Sequence, residues 1–160
     1  MLKCIHFKPQ VIDMSKILDT QSYLDTVCAL LQEGHTHVPV TIAGTSMTPF
    51  LDPGDTVFLD LPRRPIEKGD VILFARFGRQ YVLHRVVTVF PDGSLELLGD
   101  AQVRSERVRT EDVRAIVTGA RRGQKLLDSS ALRWRFFRDV WICTRRVRPY
   151  VNRIRDKIKK

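Results

Sequence analysis

Hydrophobic residues recur at helical spacing near the start of the chain and at strand spacing through its middle. Residues 15–33 place apolar side chains on one face of a helix that is predicted to end near Gly34. Six segments rich in apolar and β-branched residues follow, and we predict them to be strands: 38–43, 55–61, 70–77, 80–90, 94–99 and 113–120. Gly78 and the pair Asp92-Gly93 lie between neighbouring segments, where hairpin turns are expected. The pattern predicts a mainly β fold, either a folded antiparallel sheet or a barrel, with an N-terminal helix.

A helical pattern returns in the C-terminal part of the chain. Its apolar stripe has a residue every three or four positions and comprises Leu132, Phe136, Val140, Cys143, Val147, Val151, Ile154 and Ile158. Three amphipathic aromatic residues accompany it, namely Trp134, Phe137 and Trp141. Pro149 is expected to kink or divide this helix. We therefore predict an N-terminal helical segment over residues 1–37, a β domain over 38–128 and a basic amphipathic C-terminal helix over 129–160.

The formal net charge of +9 is confined to the C-terminal helix. Residues 131–160 contain 11 Lys and Arg against two Asp, whereas residues 1–130 contain 16 basic and 16 acidic residues. Such a helix can pack on its own β domain with the basic face in water, or lie on an anionic membrane surface. Nucleic acid is a weaker alternative, because no groove-reading motif accompanies the charge. We favour the anionic membrane surface and leave the packed helix open.

The remaining composition bears on where the protein acts. The longest apolar runs, such as residues 71–75, fall far short of the roughly 20 residues that a membrane span needs. The N-terminus lacks an apolar core of signal-peptide length. Cys4, Cys28 and Cys143 form no C-x-x-C pair, so neither a metal motif nor a disulfide framework is indicated. We expect a cytoplasmic protein, held peripherally at the inner face of the membrane, and we expect His35 and His37 to lie in a loop without metal.

The stretch 44-GTSMTPFLDPGDTVFL-59 sets Ser46 among turn-forming residues. Such a serine usually satisfies a nearby backbone N–H, and it acts as a nucleophile only if a base and a group that orients the base are within reach. His84, in 81-YVLHRVV-87, is a candidate base because a neutral imidazole titrates near neutrality. Asp100 and Glu106 are candidates to orient the ring. Each of these residues, taken alone, is better explained by turn or core chemistry.

In combination, these segments resemble the type I signal peptidase superfamily, which also includes the self-cleaving SOS-type repressors. The resemblance rests on G-T-S-M-T-P-x-L-x-x-G-D-x-V, K-G-D-V-I-L-F, Y-V-L-H-R-V-V and G-D-A with a later acid, and it covers residues 38–120. Ser46 matches the nucleophile, and His84 stands where bacterial signal peptidases and the repressors have lysine. The chain is thus similar to the Ser-His branch, in particular to small bacterial members that lack a transmembrane anchor.

The resemblance also implies a mechanism, namely acyl transfer from Ser46 with His84 as general base and with no metal or cofactor. It implies that Thr45 and Ser46 contribute backbone N–H groups to an oxyanion site, because Gly44 lacks the hydroxyl that some members have there. Met47 and Pro49 are expected to line a groove for an extended peptide substrate. Both acids stay candidates for the partner of His84; we favour Glu106 for that contact and Asp100 for a structural role in the turn.

The resemblance implies a serine endopeptidase of the signal-peptidase type that cleaves a precursor or leader peptide. The alternative belongs to another class: a non-catalytic regulatory or binding module that retains the repressor-type peptidase fold. The partner is accordingly an extended peptide or protein substrate, with an anionic membrane surface bound through residues 131–160.

Overall fold

A computed structural model describes residues 20–78, 80–128, 130–144 and 147–148. Within these residues the chain forms two α-helices, eight strands and two short 3-10 turns. In chain order they are α1 Thr20–Gln32, β1 Val38–Thr41, β2 Thr56–Asp60, β3 Val71–Arg76, β4 Gln80–Val89, β5 Leu95–Leu98, β6 Glu106–Val108, β7 Val113–Arg122, β8 Lys125–Asp128 and α2 Leu132–Asp139. The 3-10 turns are Thr110–Asp112 and Trp141–Thr144. The prediction of a mainly β fold with an N-terminal and a C-terminal helix is confirmed.

All strand pairs are antiparallel, and the main path through the sheet runs β1-β2-β7-β3-β4-β5-β6, with β8 also paired to β7. The 10-residue strand β7 lies between β2 and β3. Its first half pairs with β3 and its second half with β2. A strand from late in the chain therefore joins the segment that carries Ser46 to the hairpin that carries His84.

The six predicted strands are all present, with ends that differ by up to two residues. Gly78 and Gly93 have φ of 70° and 80° in the turns that follow β3 and β4. A positive φ favours glycine, so these turns form where the sequence indicated them. Two strands, β6 and β8, were not predicted because Glu106–Val108 and Lys125–Asp128 show no alternation of apolar and polar residues.

The buried apolar residues form two clusters on opposite faces of the sheet. The first joins α1 and α2 to one face and includes Leu31, Met47, Phe50 and Leu73. The second lies under β4, β5 and β6 and includes Ile72 and Phe74. Since β3 contributes Leu73 to one cluster and its two neighbours to the other, it is buried on both faces.

The C-terminal helix buries a different face from the one that the sequence pattern indicated. Trp134, Phe137 and Trp141 are buried in the first cluster, and the ring centroids of Trp134 and Phe137 each lie 5.1 Å from that of Phe50. By contrast, Leu132 and Phe136, from the predicted stripe, are 81% and 45% exposed. Large aromatic rings bury more apolar area than leucine or valine, so they determine the orientation of the helix.

Helix α2 is also shorter than the helix predicted over residues 129–160, which Pro149 was expected to kink or divide. Helix α2 has eight residues and is followed by the 3-10 turn Trp141–Thr144. Residues 149–160, which contain Pro149 and the end of the predicted stripe, lie outside the described residues. Among the residues that are described, no helix is long and apolar enough to cross a membrane.

The packing of α2 predicts that two substitutions on the same helix change the free energy of unfolding by very different amounts. Trp134→Ala removes a buried ring from the first cluster, so we expect it to lower the free energy of unfolding by about 3–5 kcal/mol. Leu132→Ala removes a side chain that is 81% exposed and should change it by less than about 0.5 kcal/mol. Urea denaturation of the full chain measures both values. A larger loss for Leu132→Ala would show that the predicted stripe, and not the aromatic face, is the docked one.

Candidate active site

The pairing of the strands places His84 on the face of the sheet that covers the second cluster. His84 lies directly opposite Ile72 of β3, and its ring centroid is 6.0 Å from that of Phe74. Glu106 of β6 is opposite Leu97, and Leu97 is opposite Val86. Side chains directly opposite one another share a face, and so do residues two apart on one strand. The register therefore brings His84 and Glu106, which are 22 residues apart in sequence, to the same face.

The side chains of His84 and Glu106 make contact. Nδ1 of His84 lies 3.0 Å from Oε1 of Glu106, which is close enough for an ion pair when the ring is protonated. The ring N–H does not point at this oxygen, so the neutral ring makes no aligned hydrogen bond with it. Arg76 of β3 holds the other side of the carboxylate, because its Nε donates to Oε2 at 2.8 Å and its Nη2 to Oε1 at 2.6 Å. The three residues form a chain of imidazole, carboxylate and guanidinium.

The electrostatic balance of this chain keeps His84 neutral. Its side chain is only 2% exposed, and burial lowers the pKa of His84 below the usual value. Glu106 acts in the opposite direction by stabilising the imidazolium, while the nearby Arg76 lowers the pKa further. The direction that prevails is downward. Since Nδ1 faces Glu106, the nitrogen that is left to accept a proton from another group is Nε2.

Asp100 has a different partner. Its carboxylate is fully buried and accepts hydrogen bonds from Nε and Nη2 of Arg85, at 2.9 and 2.7 Å. The third donor of the guanidinium, Nη1, binds the carbonyl of Gly69 at 2.9 Å. Both side chains of the ion pair are 1% exposed. The structure thus places Glu106 beside His84 and Asp100 in a buried ion pair that fixes the turn after β5.

Ser46 is half-buried in the loop between β1 and β2 and is held through its backbone. Its carbonyl accepts a hydrogen bond of 2.9 Å from the N–H of Ala101. A side chain on Gly99 would place a Cβ only 2.7 Å from the same carbonyl oxygen, so the close approach of the turn requires glycine here. The Gly-Asp-Ala segment is therefore in direct contact with the loop of the candidate nucleophile.

The backbone around Ser46 has N–H groups that donate no hydrogen bond within the described residues. The carbonyl of Thr45 accepts both the N–H and the hydroxyl of Thr48, which turns the chain tightly after Ser46. Among the described residues, no hydrogen bond engages the backbone N–H of Thr45, Ser46 or Met47. Free N–H groups in a tight turn are what an oxyanion site uses.

A largely apolar groove of about 250 Å³ runs beside Ser46. Its lining includes Met47, Leu59 and Leu73 from the β domain and Tyr23 and Leu24 from α1. Met47 is 2% exposed and thus belongs to the core as well as to the groove wall. Pro49 is not among the described residues that line the groove; its carbonyl accepts a hydrogen bond from Arg133 of α2.

The candidate nucleophile and the candidate base are close in the fold but are not bonded. The groove that contains Ser46 is also lined by Val82 and Leu83, the two residues that precede His84. Among the described residues, however, no hydrogen bond links Oγ of Ser46 to the ring of His84. The structure pairs His84 with Glu106 and pairs the backbone of Ser46 with Ala101; the roles of these residues in catalysis stay predictions.

Three contacts were missed from the sequence. Arg76 gave no signal because an arginine at the end of a strand is ordinary. Arg85 did give one, since an arginine between Leu83 and Val86 in a strand with apolar residues on both sides needs a buried anion. His37 lies in a loop as expected, yet its Nδ1 is 2.6 Å from Oδ2 of Asp60, a carboxylate that is 23 residues away in sequence and was not considered.

Comparison with known proteins bears on the same segments. No curated protein sequence gives a significant match. A family model described as Peptidase S24-like matches residues 10–118, a range that contains Ser46, His84, Asp100 and Glu106. This match confirms the superfamily that the sequence motifs indicated. The chain therefore belongs to the Peptidase S24-like family.

Proposed function

We propose that this protein is a serine endopeptidase in which Ser46 is the nucleophile and His84 the general base. The observation that carries the proposal is the chain His84–Glu106–Arg76, in which a buried, neutral imidazole has a carboxylate 3.0 Å from Nδ1. A base must be unprotonated at the working pH, and a carboxylate at its far nitrogen stabilises the imidazolium that forms during the reaction. Glu106 therefore acts as the orienting acid, and Asp100 supports the turn.

The proposed reaction is acyl transfer to serine followed by hydrolysis. The proton of the Ser46 hydroxyl moves to Nε2 of His84 while Oγ bonds to the peptide carbonyl carbon, and the carbonyl oxygen takes the negative charge. The free backbone N–H groups of Thr45 and Ser46 donate hydrogen bonds to this oxyanion. His84 then gives the proton to the leaving amine, and water hydrolyses the ester. The proposed step requires Oγ of Ser46 and Nε2 of His84 to lie within hydrogen-bond reach in the complex with the peptide.

The groove suggests which peptides would bind. Pairing with β5 begins at Arg85, so residues 80–84 of β4 form a strand edge beside the groove. An extended peptide can add to such an edge through backbone hydrogen bonds, with alternate side chains entering the groove. Because the groove is mostly apolar and only about 250 Å³, it suits small apolar side chains. The substrate class that we propose is therefore an extended precursor or leader segment.

A second candidate function has its own observation. Oγ of Ser46 forms no hydrogen bond with His84 among the described residues, as expected for a non-catalytic module that keeps the peptidase fold. Such a module would use the same groove to bind an extended segment without cutting it. The serine substitution described next separates the two functions.

Cleavage should depend on the hydroxyl of Ser46. We expect the wild-type protein to cleave members of a proteome-derived peptide library at pH 7.5, with product ends identified by mass spectrometry. Ser46→Ala should abolish every one of these cleavages, while Ser94→Ala, at a serine in an exposed turn, should leave them unchanged. Cleavage that persists in Ser46→Ala would remove the nucleophile assignment. Binding of library peptides without cleavage by the wild type would favour the non-catalytic module.

The dependence on pH should follow the lowered pKa of His84. Its ordinary value is about 6.5, and protonation removes the base, so the midpoint of the fall in cleavage rate should lie below pH 6.5. Glu106→Gln should lower kcat by roughly 100-fold or more, because the imidazolium loses its carboxylate. Equal rates in Glu106→Gln and the wild type would overturn the role of Glu106.

The fold must be monitored in the same titration. Burial makes the folded-state pKa of His84 lower than its unfolded value, so the folded state loses stability as the pH falls through this window. Circular dichroism at each pH distinguishes protonation of the base from unfolding. A loss of activity that coincides with a loss of structure does not count as titration of the base.

We propose further that the exposed face of α2 holds the protein on an anionic membrane surface, at the cytoplasmic face of the membrane. Leu132, Phe136 and Val140 are 81%, 45% and 49% exposed and are spaced four residues apart, so they form one apolar stripe on the helix. Residues 131–160 add a net charge of +9. Apolar side chains with surrounding positive charge are the combination that binds anionic lipid. The tryptophans are buried and take no part.

Membrane binding can be tested by sedimentation with vesicles. The protein should sediment with vesicles that contain phosphatidylserine and stay in solution with pure phosphatidylcholine, and high salt should weaken the attachment without removing it. Glutamine at Leu132, Phe136 and Val140 together should reduce the bound fraction at least fivefold. Leu126→Gln, at a residue of β8 that is 63% exposed, is the matched control. Binding that the triple substitution leaves unchanged would contradict the proposed surface.

A further inference from the structure

The turn between β5 and β6 is held from two sides. On one side the N–H of Ala101 donates to the carbonyl of Ser46. On the other side residues from the C-terminal part of the chain donate to three carbonyls of the turn. Nε1 of Trp141 binds the carbonyl of Asp100 at 3.0 Å, and Nη1 of Arg148 binds those of Gly99 and Gln102 at 3.2 and 3.3 Å.

One peptide group connects the two sides. The carbonyl of Asp100, which accepts from Trp141, and the N–H of Ala101, which donates to Ser46, belong to the same planar amide. An amide whose carbonyl accepts a hydrogen bond is polarised, and its N–H becomes a stronger donor. The indole N–H of Trp141 therefore both fixes the orientation of this amide and strengthens its bond to the backbone of Ser46.

The second donor, the guanidinium of Arg148, is buried, and its contacts must offset the free energy that its desolvation costs. The side chain of Arg148 is 1% exposed, and moving a guanidinium out of water is unfavourable unless acceptors surround it. Its Nη2 binds the carbonyl of Trp141 at 2.9 Å, and its guanidinium carbon lies 5.4 Å from the centroid of the indole ring. Arg148 thus holds Trp141 as well as the turn, and the three parts form one buried unit.

We propose that Trp141 and Arg148 are positioning residues for Ser46. The C-terminal segment then contributes to the geometry of the site as well as to the packing of the β domain. The proposal rests on the proposed role of Ser46 as nucleophile. Both residues lie beyond the stretch 10–118 that matches the family model. Neither residue is among the described residues that line the groove. They act through the amide between Asp100 and Ala101, whose N–H binds the carbonyl of Ser46 and thereby fixes the position of the Ser46 backbone relative to β4.

The structure provides a matched control for this proposal. Trp134 is buried in the same cluster as Trp141 and to the same degree, 6% exposed. Among the described residues, its indole N–H makes no hydrogen bond to the turn, whereas that of Trp141 does. Trp→Phe at either position keeps a buried aromatic ring and removes the N–H. The difference between the two variants isolates the hydrogen bond from the general packing of the helix.

The test combines kinetics with a readout that does not require activity. With a peptide selected as the fastest cleaved in the library, Trp141→Phe should lower kcat at least 10-fold and leave KM within twofold, because the nucleophile is displaced and the groove is not. Trp134→Phe should retain wild-type kcat. In amide hydrogen exchange, Ala101 should lose at least 10-fold in protection in Trp141→Phe and none in Trp134→Phe. Arg148→Lys should give the same kinetic and exchange pattern as Trp141→Phe, since an ammonium group cannot bind three carbonyls at the positions of the guanidinium.

The outcomes separate this proposal from the proposed function. If Trp141→Phe keeps both kcat and the protection of Ala101, or if Trp134→Phe loses them equally, the positioning role is wrong. If the wild type cleaves no peptide, the peptidase function fails, and with it the catalytic meaning of the positioning. The exchange of Ala101 would then still show whether Trp141 holds the turn on Ser46.

Discussion

The buried ion pair between Arg85 and Asp100 is the interaction on which the arrangement of the site depends. Arg85 follows His84 directly on β4, and Asp100 precedes Ala101, whose N–H holds the backbone of Ser46. The pair therefore joins the strand of the base to the turn that supports the nucleophile. Removing one partner of such a pair costs about 3–5 kcal/mol, since the other charge is left buried without compensation. The geometry of the site is thus tied to the stability of the fold.

The ion pair also determines what else can pack near the site. The guanidinium of Arg85 lies 4.6 Å from the centroid of the Phe50 ring, and the same ring contacts Trp134 and Phe137 of α2. The carboxylate of Asp100 accepts hydrogen bonds from Arg85, and the backbone carbonyl of Asp100 accepts one from Trp141. The aromatic face of the C-terminal helix and the charged interior of the turn are consequently parts of one packed layer.

The sequence was sufficient to predict features that are local or that leave a motif. The six predicted strands follow from apolar patterning, and Gly78 and Gly93 mark the turns after β3 and β4. The structure places Glu106 beside His84 and pairs Asp100 with Arg85, and the catalytic role of Glu106 stays a prediction. What could not be predicted depends on tertiary packing. The helical stripe through Leu132 was as regular as the aromatic one, and the packing of Trp134 and Phe137 against Phe50 joins residues that are far apart in sequence.

The state of His84 bears on the choice between catalysis and binding. Its Nδ1 is buried without an aligned hydrogen bond, and burial lowers the pKa of the ring. A buried polar atom left unsatisfied costs about 1–3 kcal/mol, so at a purely structural position an apolar side chain would be more stable among Ile72, Phe74 and Val86. In the proposed peptidase, His84 is the general base, and Glu106, 3.0 Å from Nδ1, would offset this cost when the ring is protonated. A non-catalytic module has no such protonation step, so a buried imidazole beside a carboxylate supports the proposed peptidase.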